Sequence, residues 1–133
     1  MTIADQLKVK LFADGADLDS MLELYKNPNI KGFTTNPTLM RKVGIRDYEV
    51  FARQVLKEIP DRPVSFEVFA DEHSEMLSQA RKIASWGSNV NVKIPVTNTQ
   101  GKFSGPIIRE LAKEGVQLNI TAVFTTEQVK EIA

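Results

Sequence analysis

Cysteine is absent from the 133 residues, and histidine occurs once. The first absence excludes disulfides, thiol chemistry and iron–sulfur clusters. The second excludes a multi-histidine zinc site. Neither sign of charge dominates: Lys and Arg number 17, Asp and Glu number 17, and the formal net charge is zero. A nucleic-acid module carries a basic footprint, so no nucleic-acid partner is expected. No apolar run approaches the ~20 residues of a membrane span, and no signal-peptide pattern opens the chain. No membrane partner and a cytoplasmic location follow as expectations. What is left for chemistry is lysine, carboxylates, hydroxyls and amides. The rest of the composition, 42% hydrophobic and 26% charged, is that of an ordinary globular protein. The length suits one domain, on a scale of roughly 100–200 residues each.

Two periodicities alternate along the chain. Strand-like segments are Lys8–Asp14, Lys31–Asn36, Val64–Ala70, Asn89–Pro95 and Val116–Phe124. Between them run helical patterns. Leu18, Met21, Leu22 and Tyr25 share one helical face, with Pro28 beyond its end. Tyr48, Phe51, Val55 and Ile59 form a longer one after Pro37. A helix near Ser74–Trp86 stops at Gly87, and one over Ile107–Lys113 starts from Ser104 as N-cap and stops at Gly115. Thr125 and Gln128 have capping-box spacing at the head of a last helix. These are five βα units, which predict parallel strands covered by helices, in an open doubly wound sheet or a barrel. A dinucleotide fingerprint is missing after the first strand, and Gly101–Gly105 is too short for a phosphate-binding P-loop.

Side chains alternate faces along a strand. Strands of a buried parallel sheet are usually apolar on both faces. Here each strand has a polar face: Asp14 on the first, Thr34 and Asn36 on the second, Ser65 and Glu67 on the third, Asn91 and Lys93 on the fourth, Asn119 and Thr121 on the fifth. If helices cover the apolar faces, the polar faces look into a barrel. Asp14, Asn36, Glu67, Lys93 and Thr121 then stand at the C-terminal strand ends, where barrel enzymes keep their catalytic groups. The alternative is a polar face turned to solvent, or a Glu67–Lys93 ion pair holding the barrel together. Elsewhere the blander readings stand. His73 starts a helix, Trp86 is packing, Met21, Met40 and Met76 are core, and Arg41, Arg46 and Arg109 are solvated charges.

The segments Gly32-Phe-Thr-Thr-Asn-Pro-Thr-Leu39 and Asn91-Val-Lys-Ile-Pro-Val-Thr97 resemble the transaldolase family. So, in the same order, do Leu11-Phe-Ala-Asp14 and Leu118-Asn-Ile-Thr-Ala-Val-Phe124. The likeness is to the short-chain branch that also contains fructose-6-phosphate aldolase-type enzymes, and runs from about Lys8 to the last residue. It implies a (β/α)8 TIM barrel and transfer of a dihydroxyacetone unit between sugar phosphates, of pentose phosphate pathway type, without metal or organic cofactor. It implies Lys93 as the Schiff-base lysine and Asp14 as the acid/base at the carbon–carbon bond. Glu67 and Thr121 then hold the proton-shuttling water, and Asn36 and Asn119, with Thr34 beside them, bind substrate. A neutral amine is the attacking form, and a neighbouring cation such as Lys10 favours it. Aldolase-type members tend to have glutamine where Glu67 stands, which favours transaldolase over an aldolase.

The family barrel has eight strands, and five βα units are legible here. The expectation is a single α/β domain, 1–133, made of the N-terminal five units of such a barrel with the C-terminal three absent. The serine and arginine that bind the substrate phosphate belong to later strands and have no counterpart. A catalytically silent half-barrel that serves as an assembly unit is therefore a third reading, beside the transferase and the aldolase. Open strand edges and exposure of Phe12 and Phe69 are expected, and with them a homo-oligomer.

Overall fold

Leu18, Met21, Leu22 and Tyr25 recur at helical spacing. The computed structural model, which describes residues 2–15, 17–42, 44 and 47–133, places them on one helix, Leu18–Tyr25 (α1). Asp17 caps it by accepting the Ser20 N–H at 2.8 Å, a contact worth about 1 kcal/mol. The chain divides into two compact units, one running to Val64 and the other covering Ser65–Ala133.

In the first unit a 3-10 turn over Ile3–Gln6 precedes β1 (Leu11–Asp14). After α1 come β2 (Ile30–Thr34), α2 (Pro37–Lys42) and α3 (Tyr48–Glu58). β1 and β2 pair in parallel, with Phe12 opposite Gly32 and Asp14 opposite Thr34. Gly32 is required at that place: a Cβ there would stand 2.5 Å from the Phe12 ring and 2.8 Å from the Pro63 carbonyl. The core of this unit is Met21, Phe33, Phe51, Ala52, Val55 and Ile59, all buried. Each larger one contributes roughly 1.5–3 kcal/mol by leaving water.

β3 (Val64–Glu67) opens at the boundary residue Val64 and otherwise belongs to the second unit, where α4 (His73–Ala84), β4 (Val90–Pro95), α5 (Gly105–Lys113), β5 (Leu118–Thr121) and α6 (Thr126–Ile132) follow it. The strands lie in the order β3-β4-β5, and β4 pairs in parallel with β5. In neither unit does the strand order reverse. That singly wound progression of βα units is the pattern of a (β/α) barrel rather than of a doubly wound sheet. Along β4 burial alternates strictly: Val90, Val92 and Ile94 are buried, while Asn91, Lys93 and Pro95 are half-exposed. α5 ends in a Schellman turn. Gly115, at φ +82°, donates its N–H to Ala112, and Val116 donates to Leu111. Thr125 and Gln128 form the capping box at α6.

The strands are shorter than their apolar runs suggest, for local reasons. β1 starts at Leu11, so Lys8 and Lys10 precede it and are exposed. β2 stops at Thr34, leaving Asn36 to the start of α2. β3 stops at Glu67; Phe69 and Ala70 both donate their N–H groups to Gln79 Oε1 of α4 instead of continuing the ladder. β5 begins only at Leu118, since Val116 is spent on the α5 turn, and ends before Ala122, which sits at φ +57°. Ser104 does occupy the N-cap of α5 with Pro106 in the first turn, but its side chain makes no cap bond. Phe12 on β1 and Phe69, past the end of β3, are 40% and 49% exposed, as expected.

Candidate active site

The first unit places Asp14 at the end of β1 and Thr34 directly opposite on β2. Thr34 Oγ1 donates to Asp14 Oδ1 at 2.8 Å, and the Gly15 N–H donates to the Thr34 carbonyl at 2.8 Å. Gly15 is buried against Met21, whose Cγ would lie 2.5 Å from any Cβ there. The Asp14 side chain stays exposed. Asn36 lies just past the strand. Its Oδ1 accepts the Leu39 N–H at 2.7 Å, which orients the side chain and leaves its NH2 group as what it can offer a hydroxyl.

The second unit brings Glu67, Lys93, Asn119 and Thr121 onto the C-terminal parts of β3, β4 and β5. The Val68 N–H donates to the Lys93 carbonyl at 3.2 Å, which joins the end of β3 to β4 beside both charged side chains. Burial pushes the Glu67 carboxyl above the usual carboxylate range, and the Lys93 ammonium pulls it back part of the way. A raised carboxyl holds its proton more readily than a free one, which suits a group that passes protons to and from a water. Asn119 faces Lys93 in register and Thr121 faces Pro95. The Thr121 carbonyl accepts the Val96 N–H at 2.9 Å, which fixes β5 against the chain just beyond Lys93.

One functional candidate escaped a role in the sequence reading. Ser65 is fully buried on β3, and its Oγ accepts a hydrogen bond from Asn119 Nδ2 at 3.3 Å. Its parity with Glu67, two residues on, was the signal available. The Asn119 amide is thereby held with its NH2 toward β3. Lys10, suggested as a cation that favours the neutral amine, lies outside β1 on the exposed surface.

The remaining candidates stay structural. His73 begins α4, and Trp86 meets Phe66 edge-on at 5.9 Å. Met21, Met40 and Met76 are all buried. Arg109 is exposed on α5, and Arg46 lies outside the described residues. Among the described residues no group of three or more His, Asp or Glu side chains could hold a metal ion. No helix among them is long and apolar enough to cross a membrane.

Comparison with known proteins gives the family. The family described as Transaldolase/Fructose-6-phosphate aldolase matches residues 11–133. A probable transaldolase of Dehalococcoides mccartyi is 42% identical over 120 residues, 90% of this chain and 54% of that protein. A probable transaldolase of Streptococcus agalactiae is 38% identical over 90% of this chain and 53% of its own length. One of a Sulfurihydrogenibium species is 36% identical over the same shares. The chain spans about half the length of the curated relatives it matches.

Proposed function

The chain belongs to the transaldolase/fructose-6-phosphate aldolase family, and on that premise we propose that it carries the covalent half of a transaldolase reaction. The observation that carries the reading is the pairing of Lys93 with a half-buried Glu67 at the joined ends of β4 and β3. Lys93 Nζ attacks the ketose carbonyl to form a carbinolamine. Glu67 protonates the departing hydroxyl through a water shared with Thr121, and the carbinolamine becomes an iminium. Asp14 takes the proton from the hydroxyl beside the scissile bond. The carbon–carbon bond then breaks, an aldehyde leaves, and the bonding pair passes into an enamine on Lys93. An acceptor aldehyde takes up the enamine carbon by the reverse steps, and water releases the product. Asn36 and Asn119 hold substrate hydroxyls, with Asn119 aimed by Ser65, and Thr34 orients Asp14.

Aldolase-type members resembling this chain tend to have glutamine where Glu67 stands, so a carboxylate there favours transfer over free aldol cleavage; in imine hydrolysis the same carboxylate takes a proton from the attacking water. The reaction belongs in the cytoplasm, on sugar phosphates. Exposure of Phe12 and Phe69 supports a homo-oligomer in which these rings are covered. Borohydride reduction with fructose 6-phosphate is expected to leave a sugar mass on the Lys93 peptide; a peptide map without it sinks the reading. Turnover that requires erythrose 4-phosphate supports the transferase, and turnover without the acceptor supports the aldolase.

A further inference from the structure

We propose that Asp71 is a positioning residue for the Glu67–Lys93 pair, acting through the loop that follows β4. The proposal rests on the Schiff-base reading of Lys93 and deepens it.

The two strand ends that carry the pair share the Val68–Lys93 backbone bond and then diverge into separate loops. Beyond β4 the chain folds back on itself: Thr97 bridges Phe103, and the Ser104 N–H donates to the Val96 carbonyl at 2.8 Å. This hairpin has no helix or strand of its own to fix its direction. Asp71, four residues past Glu67, supplies the anchor. Its carboxylate accepts the Thr99 N–H at 2.8 Å and the Thr99 hydroxyl at 2.7 Å. Its carbonyl accepts Asn98 Nδ2 at 3.3 Å. Asn98 is nearly buried, and its Oδ1 takes the N–H groups of Gln100 and Lys102, so the hairpin tip moves as one piece with the clasp. A further contact joins the same two loops, with His73 Nε2 and Ser104 Oγ 3.5 Å apart.

Hydrogen bonds to an ionised carboxylate are stronger and shorter than neutral ones. The bonds to Thr99 hold the Asp71 carboxyl below the usual carboxylate range, so it is charged at neutral pH and the clasp is closed. Closed, it prevents the end of β4 from swinging away from β3. Lys93 then stays where its charge acts on Glu67, and the shared water stays within reach of both. Displacing reacting groups by about 1 Å can cost a hundredfold in rate, so a clasp of this kind has chemical leverage without touching substrate.

The test reads Glu67 directly, by carboxyl 13C NMR titration of the chain, with the signal assigned from Glu67→Gln. Thr99→Val breaks the hydroxyl bond without changing any charge, and the Glu67 midpoint is expected to move up as Lys93 drifts off. Thr99→Ser is expected to restore it. Asp71→Ala is expected to move it further in the same direction. Removing the Asp71 charge alone would move it down, so the sign separates lost position from lost charge. If Asp71→Ala does not fold, Thr99→Val decides. Midpoints that stay put or fall overturn the proposal. Borohydride trapping adds a rate: Thr99→Val is expected to form the Lys93 adduct about tenfold more slowly than Thr99→Ser, and equal rates overturn the proposal. If the unaltered chain forms no adduct, the Schiff-base reading fails by itself, and the Glu67 midpoint still decides the clasp.

Discussion

Asp14 and Glu67 are both carboxylates at the C-terminal end of a parallel strand, and their surroundings differ. Asp14 is exposed and bound by a neutral hydroxyl, Thr34 Oγ1. Glu67 is half-buried, acts on a cation, and has its carboxyl pushed up by burial. The first arrangement orients an acceptor without desolvating it. The second favours the protonated form more than a free carboxyl would. The residue type is nearly the same, so burial decides which task a carboxylate takes.

The largest test of this contrast removes the amine. Lys93→Met is expected to abolish the trapped adduct, while Asp14→Ala keeps it and loses carbon–carbon cleavage by roughly 10²–10⁴-fold, the usual contribution of a general acid/base. Mass spectrometry of the reduced protein and a turnover assay separate the two. An Asp14→Ala protein that folds but traps nothing would remove the distinction between the two groups.

Next in size is the backbone that brings Asp14 and Thr34 face to face. Gly32→Ala pushes a methyl into the Phe12 ring and the Pro63 carbonyl, and overpacking of that kind costs about 1–3 kcal/mol. Thermal unfolding would show it as a lowered midpoint.

The pH dependence of Glu67 is a smaller effect of definite sign. Its folded-state pKa lies above the ordinary value, so between the two values the folded chain binds the proton more tightly than the unfolded chain. Stability contributed by the protonated form is therefore lost as pH rises from the ordinary carboxylate value through the raised one. Glu67→Gln is expected to remove that loss, so its melting temperature should gain on the parent between acid and neutral pH, even as turnover slows. A constant difference across the range would mean that burial is not what sets this group. Smallest is Thr34→Val. It leaves Asp14 to water, at a cost of about 1 kcal/mol or less in urea unfolding.

Where a local rule governs, the sequence is transparent. Leu18–Tyr25 is bounded by Asp17 and its own periodicity, Thr125 and Gln128 announce α6, and the alternation of β4 puts Lys93 on its half-exposed face. The candidate site residues are read by the same rule: Glu67 on β3, and Asn119 and Thr121 at alternate positions of β5, are assigned a side by strand parity. Where a distant partner governs, the sequence is opaque. Lys10 reads as strand until the chain bends at Lys8 and Val9 and leaves it outside. Ser104 reads as a cap, yet its hydroxyl lies near His73, 31 positions away. Ser65 meets Asn119 across 54 positions, and no periodicity encodes that meeting. α2 is six residues long, too short for its pattern to stand out beside Pro37.

One glutamine oxygen decides where β3 stops. Gln79 Oε1 takes the Phe69 and Ala70 N–H groups together, from a helix position nine or ten residues later in the chain. The turn between them thus has a fixed gauge. One residue inserted or deleted among 73–78, inside α4, would rotate Gln79 about 100° around the helix axis and carry its oxygen off both donors. Most connecting segments of such folds accommodate changes in length, but this one is calibrated. Engineers grafting new sequence near Glu67 should treat Phe69 to Gln79 as a single cassette, moved whole or left alone.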